Sequence, residues 1–188
     1  MKKTVLTFGL IGGAILAAMM VATLPFLDKI GFDKGEIVGY TTMILAFMLV
    51  FFGIRSYREN VSDGDITFGR AFAVGILITL VACVCYVVAW EILYFKFMPD
   101  FVDKYASYMV EKVRASGATQ QVIDAKLQEM KSFKAMYDNP FINAAITFTE
   151  PFPIGLIVTL ISAAILRKRI TAATRDEGSA QLPVQQEN

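Results

Sequence analysis

Long uncharged apolar runs alternate with polar connections along this chain. Residues 4–27, 37–54, 71–90 and 139–166 hold almost no charged side chains. A helix rises ~1.5 Å per residue, so a run of ~18 residues covers ~27 Å, close to the ~30 Å hydrocarbon core of a bilayer. A soluble core does not require uninterrupted apolar segments of that length. The pattern therefore predicts an all-α membrane protein with four transmembrane helices, at about 4–27, 37–54, 71–95 and 141–166. These form one membrane unit over residues 1–170, followed by a polar, Gln-rich tail at 171–188 that reads as disordered.

The connection before the fourth run has a different period. Phe101, Tyr105, Tyr108, Met109 and Val113 recur at helical spacing among charges, and Ile123, Leu127, Met130, Phe133 and Tyr137 do so again. Gly117 fits the position just past a helix end, and Thr119 fits an N-cap. Residues 100–138 thus predict an amphipathic helical hairpin, which serves more simply as a structural cap than as a receptor for a partner. Elsewhere "DKIGFDKGE" (28–36) reads as a short polar turn. Small residues at Gly9, Gly13 and Ala17, at Ala71, Gly75, Thr79 and Cys83, and at Gly155, Thr159 and Ala163 read as helix-packing faces.

Composition agrees with this picture and removes several chemistries. Of 188 residues, 55% are hydrophobic and only 19% charged, against about a quarter charged in soluble domains. The net charge of +1 argues against nucleic acid as a partner. Histidine is absent, and with it the commonest general base and metal ligand. Cys83 and Cys85 point to different helix faces and cannot readily bridge. With no nucleophile–base pair, phosphate loop or metal motif, a non-enzymatic role without metal or cofactor is expected.

Raw counts of basic residues do not orient the chain, since four crossings leave nine on either side. Position does, because basic residues nearest the span ends carry most weight. Arg55 and Arg58 close the second run, Arg70 opens the third, and Arg167, Lys168 and Arg169 close the fourth. These form the expected cytoplasmic basic rim, suited to anionic lipid headgroups. Both termini are then cytoplasmic and the hairpin extracytoplasmic. The apolar start behind Lys2 and Lys3 is longer than a signal-peptide core and reads as a retained span.

Two carboxylates interrupt the apolar runs, Glu91 in "VVAWEILYF" and Glu150 in "TFTEPFPIG". Charge inside a bilayer is costly, which makes both candidate functional residues. Glu91 follows twenty apolar residues, and Glu150 lies just beyond the sixteen that precede Arg167. Both therefore sit toward the hairpin side and could be neighbours. Pro151 and Pro153 remove the amides that would bond the Thr147 and Thr149 carbonyls, and each disfavours helical geometry in the residue before it. A helix break over Thr149, Pro151, Pro153 and Gly155 would leave carbonyls free beside a carboxylate, as at transporter ion sites. The plainer alternative is an ordinary helix start with Thr149 as N-cap and "PFINAAITF" along the interface. Glu91, likewise, could belong to an interfacial aromatic belt with Trp90 and Tyr94.

"FFGIRSYREN", "ITFGRAFAVGILITL", "PDFVDKY" and "EPFPIGLIVTLISAAILRKR" resemble a bacterial membrane family termed domain of unknown function 4199. The resemblance runs from about Leu6 to Arg169. It implies that Gly53, Arg55, Tyr57, Arg58, Phe68, Gly69, Glu150, Pro153 and Gly155 are family-pattern positions, with Pro151 a departure. It implies an architecture and no activity, substrate or cofactor. The expectation from sequence is an inner-membrane interaction or scaffold component that meets the lipid bilayer and either a second copy or another membrane protein. The alternative is a small transporter or ion-coupled accessory subunit using Glu91 and Glu150. Lipid binding at the basic rim is a third possibility.

Overall fold

The computed structural model describes residues 1–168. Arg169 and the 171–188 tail lie outside the described residues. Within them the chain is helical, in the order α1 (Lys2–Thr23), a 3₁₀ turn (Leu24–Phe26), α2 (Leu27–Ile30), α3 (Phe32–Val61), α4 (Phe68–Phe97), α5 (Phe101–Ala115), α6 (Gln120–Tyr137), α7 (Pro140–Phe148) and α8 (Pro151–Leu166). Four helical segments are long and apolar enough to cross a membrane: α1, α3, α4, and α7 with α8 taken together. The protein is a multi-pass membrane protein.

The small-residue stripes act as helix-packing faces. A Cβ at Gly13 would stand 2.4 Å from Cys85 Cβ, and one at Gly9 would stand 2.7 Å from Val81 Cβ, so α1 lies directly on α4. A Cβ at Gly75 would meet Ile54 and Thr159, each at 2.8 Å, and one at Gly155 would meet Thr79 Cγ2 at 2.4 Å. Bare glycines thus let α4 and α8 approach as closely as their backbones permit. Around this contact Phe47, Val50, Ile54, Val74 and Ile78 are almost wholly buried. Inside the same layer Thr79 donates to the Gly155 carbonyl (3.4 Å), leaving Thr159 to donate to Thr79 (3.0 Å), so both hydroxyls are satisfied in the core.

At one end α5 and α6 pair as a hairpin. Ser116 ends α5 and Gly117 follows at φ 77°, the left-handed position that glycine enters without strain. Thr119 does take the N-cap position of α6, although its hydroxyl makes no capping bond. Val110, Ile123 and Met130 form the hairpin's own small core, while Trp90, Tyr94, Val102 and Tyr137 join the hairpin to the bundle. Phe32, at the start of α3, packs against Phe101, Tyr105 and Tyr108 of α5. The hairpin is a cap on the bundle. The segment read as a polar turn is different: α3 begins at Phe32, so Asp33 and Glu36 stand on its first turns. Gly31 (φ 77°) takes the sharp reversal alone.

The opposite end carries Arg55, Arg58, Arg70, Arg167 and Lys168. Their surroundings are more local than a lipid-facing rim suggests. Arg55 pairs with Glu59 at 2.8 Å, and Lys168 pairs with Asp65. Arg58 Nη1 donates to the Leu166 carbonyl (3.4 Å), capping the end of α8, and the Lys168 amide bonds the Ile66 carbonyl at 2.9 Å.

Candidate functional site

Asn139 starts α7 by accepting from the Phe141 and Ile142 amides, with Pro140 in the first position, where no amide is needed. The helix runs to Phe148 and resumes at Pro151. The sequence expectation that the prolines would drive their predecessors out of helical geometry is not met. Glu150 keeps φ −76° and ψ −60°, and Phe152 lies within α8. The junction closes with tighter bonds instead, Thr149 N–H to Ile146 O (3.0 Å) and Glu150 N–H to Thr147 O (3.4 Å). Pro151 and Pro153 fall in the first turn of α8, where missing amides cost little. Thr149 is not the N-cap; its hydroxyl turns back to the Ile146 carbonyl at 2.6 Å, and Glu150 occupies the cap position. Gly155 belongs to the α4–α8 contact and not to a break.

This junction places Glu150 on the wall of a chamber of about 540 Å³ between the bundle and the hairpin. Leu16, Met19 and Met20 of α1 line one side, and Glu36, Gly39, Tyr40 and Met43 of α3 line another. Tyr86 and Trp90 come from α4, while Phe101, Tyr105, Phe133 and Tyr137 of the hairpin roof it. Glu36 and Tyr40 are exposed where they line it. Glu150 is exposed as well and is among the residues that line the chamber. The Tyr86 hydroxyl donates to Glu150 Oε2 at 3.0 Å, and Glu36 lies within electrostatic reach of the same carboxylate.

A buried ring of hydrogen bonds holds the roof to the bundle. Trp90 Nε1 donates to the Tyr137 hydroxyl oxygen (2.9 Å). Asn143 Nδ2 donates to the Tyr137 carbonyl (3.2 Å), and Thr147 donates to Asn143 Oδ1 (3.1 Å). With the Thr147 proton so committed, the Tyr137 hydroxyl is the donor in its 3.5 Å contact with Thr147 Oγ1. Asn143 is 0% exposed and Thr147 2%, so α7 sets one face into the protein, while Phe141 and Ile142 on the same helix stay exposed. Burial raises the Tyr137 hydroxyl above the ordinary phenol range. Glu150 and Glu91 push the same way, against the hydrogen bond donated by Trp90.

Glu91 occupies other ground. It does not line the chamber, and its Oε1 is closed off without a hydrogen-bond partner. It sits one position around α4 from chamber-lining Trp90, next to exposed Ile92. The aromatic belt proposed beside it is absent, since Trp90 (8% exposed) and Tyr94 (2%) point into the core. The second acid within electrostatic reach of Glu150 is Glu36, which stands in α3 and not in a polar turn. Its signal was available, because Phe32, Glu36, Gly39 and Met43 recur at helical spacing. Among the described residues no group of side chains is placed to hold a metal ion.

Residues 7–168 match the family described as a protein of unknown function (DUF4199). The chain belongs to that family. The matched region takes in the first apolar helix from residue 7, the other three and the hairpin, so every residue lining the chamber lies in the family domain. No curated protein and no solved structure matches the chain.

Proposed function

We propose that the protein is a non-enzymatic component of a bacterial inner membrane that binds a small molecule in the chamber beneath the hairpin. The observation that carries this reading is the chamber itself: about 540 Å³, within the ~300–1,000 Å³ range of small-molecule sites, with convergent polar groups on an apolar wall. The arginine-bearing end is the cytoplasmic one in this reading, which sets the termini inside and the chamber on the outer side. The hairpin's apolar faces engage the bundle and each other, which favours a roof over a scaffold that docks partners. Below the chamber, the buried layer of Phe47, Val50, Ile78 and Thr79 favours binding over passage through a single copy.

Gly39 supplies the test. It lines the chamber, and a Cβ there would meet nothing within 4 Å, so Gly39→Trp starts its side chain in open space and adds bulk at the chamber wall. Native mass spectrometry of the full-length protein released from its own membrane should show a small-molecule adduct that Gly39→Trp loses at unchanged melting temperature. No adduct on the wild type, or the same adduct on the variant, would overturn the reading.

A further inference from the structure

The geometry points to the ligand class: we infer that the chamber takes lipophilic organic cations, with the charged head at Glu150 and an apolar body against the methionine-rich wall. The inference rests on the chamber being a binding site. Lys112 is the basic side chain on the wall, and it is hydrogen-bonded to Asp33 at 2.8 Å, so that pair cancels. Glu36 and Glu150 remain without a basic partner on the wall, and the interior carries an excess of negative charge.

The rest of the lining has the chemistry that receives such a head. The Tyr86 O–H engages Oε2 of Glu150, which leaves Oε1 for a ligand. Tyr40, Trp90 and Tyr137 are aromatic residues of the same chamber wall, Tyr40 the most exposed of the three. A cation with little hydration is attracted to an aromatic face, most strongly where water is excluded, and a carboxylate beside it adds direct Coulomb attraction. A strongly hydrated inorganic ion would gain little from rings, thioethers and one available carboxylate edge.

The apolar half favours adaptability. Met19, Met20, Met43 and Met109 all line the chamber. Unbranched thioether side chains conform to differently shaped partners, so a Met-rich wall accepts a class of bodies more readily than a single shape. A common charge requirement with loose shape selection follows.

Three probes of matched bulk separate charge from shape: tetraphenylphosphonium (cation), triphenylphosphine oxide (neutral) and tetraphenylborate (anion). Equilibrium dialysis of full-length protein in detergent is expected to show saturable tetraphenylphosphonium binding that Gly39→Trp abolishes. Glu150→Gln should weaken the cation at least about tenfold and leave the neutral probe within about twofold. Glu36→Gln should weaken the cation less, because Glu36 is exposed and its charge is screened by solvent. Neutral and cationic probes that bind alike, with Glu150→Gln indifferent, would overturn the cation inference and leave the chamber as a binding site. Preference for tetraphenylborate would do the same. Failure of all three to bind above the Gly39→Trp level would remove both.

Discussion

The Tyr86 hydroxyl donates to Glu150 Oε2 across 3.0 Å, joining the middle of α4 to the junction of α7 and α8. The bond engages one carboxylate oxygen and leaves Oε1 outside it. Removing the phenol oxygen in Tyr86→Phe should lower stability by about 1–2 kcal/mol, as expected for a bond to a charged acceptor. Glu150→Gln keeps an acceptor oxygen and should cost less than Glu150→Ala. Melting in detergent, followed by intrinsic fluorescence, ranks the three variants; an inverted order would deny Tyr86 its role.

The ring through Trp90, Tyr137, Thr147 and Asn143 makes Asn143 the most sensitive polar position. Asn143→Ala would strand the Thr147 hydroxyl and the Tyr137 carbonyl in a dry interior, at about 2–3 kcal/mol. Trp90→Phe loses one donor and should cost less. Hydrogen exchange should show the 1:1 consequence, with α7 and the C-terminal half of α6 losing protection together in Asn143→Ala. Loss confined to α7 would mean that the ring does not couple them.

Glycines separate packing from backbone effects. Gly155→Val places a Cβ 2.4 Å from Thr79 and 2.8 Å from Phe47 and should destabilise by about 1–3 kcal/mol. Gly69→Ala lies in α4 with nothing within 4 Å of its Cβ, so it should be neutral or stabilise by up to about 1 kcal/mol. Equal effects at the two sites would contradict close contact of α4 with α8.

Two lysine ion pairs steady the roof, Lys112 binding it to α3 and Lys134 bracing α6 against α5 within it. Lys112 bonds Asp33 at 2.8 Å, and Lys134 bonds Asp103 at 2.6 Å. Each bond raises its lysine above the ordinary lysine range. A raised folded value means that the stabilisation is complete below the unfolded lysine value and is lost as pH rises through the folded one. Hairpin protection should therefore be flat near neutrality and decline at strongly alkaline pH. Lys112→Met should flatten part of that decline, read by exchange in α5. Both pairs are exposed, so salt should weaken them as well.

Some of the site was legible from residue order and some was not. Glu150 stood out because a charge between prolines interrupts an apolar run. Its partners did not stand out, because Tyr86 and Trp90 sit in a helix that is apolar on all sides, where periodicity gives no facing direction. Glu91 drew attention by the same rule as Glu150, yet the chamber excludes it. Depth along the bilayer places two residues at one level without saying whether they share a face. Glu36 was overlooked because "DKIGFDKGE" is rich in turn-forming residues, and contact of Phe32 with the hairpin aromatics draws that segment into α3.

Residue order by itself determined the four apolar helices, the amphipathic hairpin and its glycine turn, because each follows from local chemistry: length of apolar run, helical spacing, and the conformations glycine permits. Only tertiary structure decided that seven helices and a helix junction would line one chamber and that Glu150 would bond Tyr86 there and share the wall with Glu36. Those relationships depend on the rotation of each helix about its own axis. That rotation is set by which glycines and side chains interlock across helices, a non-local outcome that an apolar run does not encode on its own.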